Sequence, residues 1–118
     1  MARRSVLFSP GDQPALMRKA PGSGADAVVF DLEDAVVPDR RPVARDAIHE
    51  VLTDAEFDPE CSVWVRVNPP GTVADADVAN ALADASPVDA VMLPKVSDVA
   101  GVERVVGLLD EYGVDAPV

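Results

Sequence analysis

Three carboxylates, Asp31, Glu33 and Asp34, fall within four residues at the end of an apolar run, and one arginine, Arg66, closes another such run, Val63-Trp64-Val65-Arg66-Val67. Acids this close repel one another unless an arginine, a cation or a metal-bound water neutralises them. Arg66 is the natural counter-charge. Its planar fork also suits a substrate carboxylate, which it can hold through two parallel hydrogen bonds. Two readings stay open at this point: a guanidinium that grips a ligand, or an internal ion pair from Arg66 to Glu33 or Asp34. Both roles can hold together. The three acids also suit Mg²⁺, which takes oxygen ligands and keeps several waters; support behind the water shell is favoured over direct ligation.

Lys95 follows Pro94 at the end of a further apolar run. A lysine so placed is a Schiff-base nucleophile only when its pKa is depressed. Carboxylates nearby keep the ammonium protonated, so Lys95 is read as an electrostatic supporting residue. Pro10-Gly11-Asp12 reads as a turn that sets Arg18 and Lys19 one or two helical turns beyond the same rim. On so acidic a chain that pair either meets phosphates or forms a solvated helix face. His49 sits mid-helix and has no assigned role, and Trp64 and Cys61 read as packing residues.

The elements that must position these side chains are four apolar runs over residues 5–9, 27–32, 62–68 and 90–93. They are near-continuous rather than alternating, as strands of a parallel sheet are when helices cover them. Helical spacing predicts helices over 13–20, 42–52, 73–85 and 98–112, with Pro42 in a first turn, Ser97 or Asp98 as a cap and Gly113 as a stop. The order is βαβαβαβα, with Ala116-Pro117-Val118 resembling the opening of a fifth strand. Such alternation implies right-handed parallel crossovers. It does not by itself separate an open doubly wound sheet from a closed barrel. In either architecture ligands sit at the carboxyl ends of the strands, where all the acids and cations above converge.

Composition narrows the function classes. The 118 residues, 48% hydrophobic, suffice for one domain over 1–118. With 21 acidic against 10 basic residues the formal charge is −11, which repels nucleic acid and anionic membranes. Aspartate far outnumbers glutamate, and Lys19 and Lys95 are the two lysines. That bias resembles salt-adapted, halophilic proteins. Cys61 is the one cysteine, so no intramolecular disulfide forms and no cysteine cluster holds a metal. A cytoplasmic address fits, since the apolar run at residues 6–8 is too short for a signal segment or a membrane span.

Four motifs in order, Arg4-Ser5-Val6-Leu7-Phe8-Ser9-Pro10-Gly11, Asp31-Leu32-Glu33-Asp34-Ala35-Val36, Val65-Arg66-Val67-Asn68 and Met92-Leu93-Pro94-Lys95-Val96, span nearly the whole chain. They resemble the citrate lyase β-subunit-like group of the HpcH/HpaI aldolase/citrate lyase superfamily. The resemblance implies the first four units of a (β/α)₈ barrel, which needs about 200–250 residues when complete. It implies an Mg²⁺-dependent carbon–carbon lyase acting on a small hydroxy- or oxo-acid or its coenzyme A thioester, such as citryl-, malyl- or citramalyl-CoA. Arg66 then grips the substrate carboxylate, and Glu33 and Asp34 line the same pocket near the metal's water shell. Phe8 and Lys19, with Arg18, match positions that meet coenzyme A, while Ala15 stands where some relatives have lysine. The two metal ligands, a Glu and an Asp, are implied beyond Val118, so none is expected within this chain. A homo-oligomer, trimer or hexamer, is implied for the full-length protein, with the 118 residues inactive alone. The alternatives are a pyruvate-type aldolase working on free oxo-acids, and a self-contained non-catalytic α/β module that binds an anion or a partner; two barrel halves can also pair, fourth strand to first, into a pseudo-barrel dimer.

Overall fold

The computed structural model describes residues 5–71, 73–84, 88–94 and 98–118. Strands β1 (Val6–Pro10), β2 (Ala27–Asp31), β3 (Ser62–Arg66) and β4 (Ala90–Met92) alternate with helices α1 (Pro14–Lys19), α2 (Arg41–Thr53), α3 (Ala74–Asp77) and α4 (Val99–Glu111). Every neighbouring strand pair is parallel, in the order β1-β2-β3-β4.

Side chains on a strand alternate between its two faces, and here the two faces differ. Val28, Phe30, Val63, Val65 and Val91 share one buried cluster with Met17 of α1, Ile48 and Leu52 of α2, Leu82 beyond α3, and Val105 and Leu109 of α4. Burying each such side chain contributes roughly 1.5–3 kcal/mol. All four helical segments therefore pack on one face. The residues between, Phe8, Asp31, Trp64, Arg66 and Met92, lie on the other. A doubly wound sheet reverses its strand order at a switch point, whereas sequential order with helices on one side is the wall of a barrel. The alternation that left both architectures open is thereby resolved toward the first four units of a (β/α)₈ wall.

Local chemistry explains the element ends. Proline opens α1 and sits in the first turn of α2, where its missing N–H costs nothing. Asp98 caps α4 by accepting from the Gly101 amide at 2.9 Å; Ser97, the other candidate cap, lies outside the described residues. Gly113 at φ 71° ends α4, and the Val114 amide turns back to the Leu109 carbonyl at 2.8 Å. The expected strand over 62–68 stops at Arg66. The expected single helix over 73–85 is a short α segment that widens into a π turn, Val78–Leu82. There Asn80 Nδ2 donates to the Ala76 carbonyl at 2.9 Å, a side-chain bond that competes with the regular ladder. After α4 the Val91 amide donates to the Pro117 carbonyl at 2.8 Å, so the last residues touch β4, but the sheet has four strands and the expected fifth does not form among the described residues.

Candidate functional site

The register places Pro10, Asp31, Arg66 and Met92 in one row across the carboxyl end of the sheet. Asp31 and Arg66 are directly opposite, and they form a two-pronged ion pair: Nε donates to Oδ1 at 2.8 Å and Nη2 to Oδ2 at 2.7 Å. The Asp31 side chain is 1% exposed and that of Arg66 19%. Glu33 Oε1 stands farther away, 3.8 Å from Nε, and Asp34 acts on Arg66 as a nearby charge. Arg66 was read as the counter-charge of all three acids, with an internal pair to Glu33 or Asp34 as one open reading. The Glu33 pair is present but long, and the short pair goes to Asp31, because adjacent parallel strands juxtapose their last residues, whereas Glu33 and Asp34 lie past the strand end.

Asp31 is held from every side. The backbone amides of Glu33 and Ala35 donate to Oδ1 and Oδ2 at 2.9 and 3.0 Å, so both oxygens accept two hydrogen bonds. Burial pushes the carboxyl up, but the Arg66 bonds and the two amides outweigh it and hold Asp31 below the ordinary aspartate range. The same hydrogen bonds raise Arg66, against the opposing effect of its burial, with help from the Glu33 and Asp34 charges. The Phe8 ring lies against the guanidinium, its centroid 4.8 Å from Cζ, a cation–π contact worth about 0.5–1 kcal/mol. Asp31 uses the Nε/Nη2 edge of the fork. Asp31 does not use the end edge, formed by Nη1 and the second Nη2 hydrogen.

Phe8 also lines a cavity of ≈ 310 Å³ along the edge of β1 beside α1, together with Leu7, Ser9, Leu16, Lys19 and Ser23. Its walls are apolar apart from Lys19 and the hydroxyls of Ser9 and Ser23, and the Ser9 Oγ is buried without a hydrogen-bond partner. Lys19 and Phe8, read together from the sequence, are thus brought to one cavity. Arg18 is not. It turns toward the end of α2 and pairs with Asp54 at 2.7 Å, so of the two readings of Arg18 and Lys19, a shared phosphate site or a solvated helix face, the first loses Arg18 to an ion pair. Lys95 lies outside the described residues. Among the described residues no group of three acids, histidines or cysteines is placed to hold a metal; direct Mg²⁺ ligation by Asp31, Glu33 and Asp34 together does not fit, because both Asp31 oxygens are committed to Arg66 and backbone amides. His49 contacts the Ala83 carbonyl at 3.1 Å, and the Cys61 thiol is pushed up by burial; neither approaches the site.

One network was not foreseen. Asp77, fully buried, accepts from Arg45 Nε at 2.8 Å and from both the backbone amide and Nδ2 of Asn68 at 2.8 Å. Asn68 Nδ2 also donates to the Leu32 carbonyl at 3.0 Å. Asn68 was visible in its motif, but no spacing links it to a buried aspartate nine residues later.

The model for the HpcH/HpaI aldolase/citrate lyase family matches residues 4–115. The chain belongs to that family. It is 39% identical over 108 residues to a (3S)-malyl-CoA thioesterase of Cereibacter sphaeroides, covering 92% of this chain and 37% of the relative. It is 43% identical over 96 residues to a citrate lyase subunit beta-like protein of Mycobacterium tuberculosis, covering 81% and 33%. The crystal structure of CitE from M. tuberculosis in complex with magnesium, acetoacetate and coenzyme A superposes with a TM-score of 0.70 at 36% identity, over 88% of this chain and 37% of that one. The citrate lyase beta subunit from the same organism, complexed with oxaloacetate and magnesium, also gives 0.70 at 34% identity, over 98% and 46%. The chain therefore spans less than half the length of these family members.

Proposed function

We propose that this chain carries the carboxylate-gripping part of an Mg²⁺-dependent carbon–carbon lyase that acts on a short hydroxy- or oxo-acid, or on its coenzyme A thioester. The observation that carries the reading is the Arg66–Asp31 pair at the strand ends, oriented by four hydrogen bonds to Asp31 and backed by Phe8. Arg66 offers its end edge to the carboxylate of the acid, and Glu33 and Asp34 flank the same mouth. Asp31 prevents the guanidinium from swinging away. A fixed cation beside a group that gains negative charge during bond cleavage stabilises that charge without reorganising.

Mg²⁺ supplies Lewis-acid polarisation of the substrate's oxygen when bound, and its ligands are assigned to residues outside those described. Support for the thioester comes from the cavity beside Phe8 and Lys19, whose apolar walls and single ammonium suit an acyl-CoA arm. That observation favours coenzyme A thioesters over free oxo-acids.

Titration of the ¹⁵N-labelled chain with pyruvate, followed at the backbone amide signals of Glu33 and Ala35, which hold Asp31, tests the grip. Arg66→Ala should weaken binding at least about tenfold, and equal affinity in the variant removes Arg66 from the site. Retention on immobilised coenzyme A, reduced in Lys19→Ala, is expected for the thioester reading; passage straight through favours the free-acid aldolase. The 118 residues alone, given malyl-CoA or citramalyl-CoA with Mg²⁺, should show no turnover, and turnover would show that the machinery is complete within them.

A further inference from the structure

The buried network around Asp77 reaches the Arg66 site through a single peptide plane. Asn68 Nδ2 holds the Leu32 carbonyl at 3.0 Å, and the N–H of that same peptide, belonging to Glu33, donates to Asp31 Oδ1 at 2.9 Å. Asp31 Oδ1 in turn accepts from Arg66 Nε at 2.8 Å. The preceding peptide is fixed as well, since the Leu32 amide donates to the Arg66 carbonyl at 2.9 Å. Hydrogen bonds thus run without a gap from Arg45 on α2, through Asp77 on α3 and Asn68 after β3, across the Leu32–Glu33 peptide to Asp31 and Arg66.

A carboxylate buried completely is a poor device for stability, because its desolvation offsets most of the attraction to its partner. It is a good device for geometry. Asp77 Oδ2 takes both the backbone amide and the side-chain amide of Asn68, which leaves Asn68 Nδ2 one orientation and aims its second hydrogen at Leu32. Chains of this kind also polarise one another in a low-dielectric interior.

We propose that Asp77 is a positioning residue for the Arg66 site: through Asn68 it sets the plane of the Leu32–Glu33 peptide, and thereby the angle at which Asp31 holds the guanidinium. Asp77 touches no substrate and sits behind the mouth, so its effect is transmitted entirely by this relay. The proposal rests on the carboxylate-gripping reading of Arg66 for its functional meaning, but the relay itself is measurable without a ligand.

Solvent exchange of the Arg66 Nε–H and the Glu33 amide, read by NMR, tests it in Asp77→Asn. A paired Arg45→Met/Asp77→Leu variant, which replaces the buried ions with apolar side chains of similar volume, guards against simple unfolding. Both signals should exchange about tenfold faster in each variant, as loss of an outer partner commonly weakens a site by that factor, while the amides of Val28 and Val65 keep their wild-type protection. Pyruvate binding should weaken in parallel. Unchanged exchange at Glu33 and Arg66 in both variants overturns the proposal; so does acceleration of the Val28 and Val65 amides by the same factor in the paired variant, which would make Asp77 a prop for the whole fold. Should wild type bind no pyruvate at all, the reading of Arg66 fails, while the exchange comparison still decides the relay.

Discussion

At the residue scale the Asp31–Arg66 pair concentrates both stability and function. Removing one partner of a buried ion pair leaves the other uncompensated, a loss of roughly 3–5 kcal/mol for a fully buried pair. Arg66 retains some exposure, 19% of its side chain, so Asp31→Asn should cost about 2 kcal/mol at neutral pH. The pH dependence has a definite sign. Asp31 is held below its ordinary value of 3.8, so the native state releases its proton more readily than the unfolded chain. Its contribution is therefore complete above about pH 3.8 and lost as pH falls through the lower native value. Urea unfolding of wild type and Asp31→Asn should differ most at pH 7 and the gap should narrow as pH falls below 3.8; a gap that stays constant would mean that the pair contributes no charge-dependent stability. This partnership was only half legible in the sequence. Glu33 and Asp34 looked equally close to Arg66 because spacing along a chain says nothing of register across a sheet. The one available signal was that Asp31 and Arg66 each lie four residues past the start of their runs, at Ala27 and Ser62.

At the scale of elements the row of strand ends depends on how closely β1 meets β2 and α2. The Gly11 amide donates to the Asp31 carbonyl at 2.9 Å, and a Cβ at Gly11 would stand 2.7 Å from that oxygen and 2.7 Å from Ile48 Cδ1. Ile48 has rotamers to give; the backbone carbonyl of Asp31 does not. Gly11→Ala should therefore destabilise by about 1–3 kcal/mol and shift the Asp31 and Glu33 amide resonances. Unaltered melting and spectra would show that the turn has slack. Pro10-Gly11-Asp12 had announced a turn, but the close approach behind it is a tertiary fact. The elements themselves were largely readable because apolar runs separated by helical spacing leave few options, and the helix-free Arg66 face follows from strand alternation once the helices are placed. The departures came where local chemistry competes with periodicity, as at Asn80, whose side-chain bond accompanies the π turn that replaced a regular helix.

At the scale of the molecule the imbalance of charge becomes a property of the surface. Five arginines are occupied by aspartates in the described residues, Arg18 by Asp54, Arg40 by Asp12, Arg45 by Asp77, Arg66 by Asp31 and Arg104 by Asp75. With these five arginines so engaged, surplus acids crowd the outer helix faces and one loop: Asp46 and Glu50 on α2, Glu56, Asp58 and Glu60 after it, Glu103, Asp110 and Glu111 on α4 are all exposed. Two effects of salt then oppose each other. Screening weakens the exposed pairs, each worth less than about 1 kcal/mol, and it also removes repulsion spread over a net −11. The screening length contracts from about 8 Å at 0.15 M to about 3 Å at 1 M, so long-range repulsion vanishes while the largely buried Asp31–Arg66 and Asp77–Arg45 pairs are less affected. Repulsion is the larger sum, and the melting temperature should rise between 0.15 M and 2 M KCl. Replacing Asp46, Glu50 and Asp58 with lysine should flatten that rise by reducing the net charge without touching the sheet. A melting temperature that stays level or falls in KCl, or a lysine variant with the same salt response as wild type, would detach the acidic surface from any adaptation to salt.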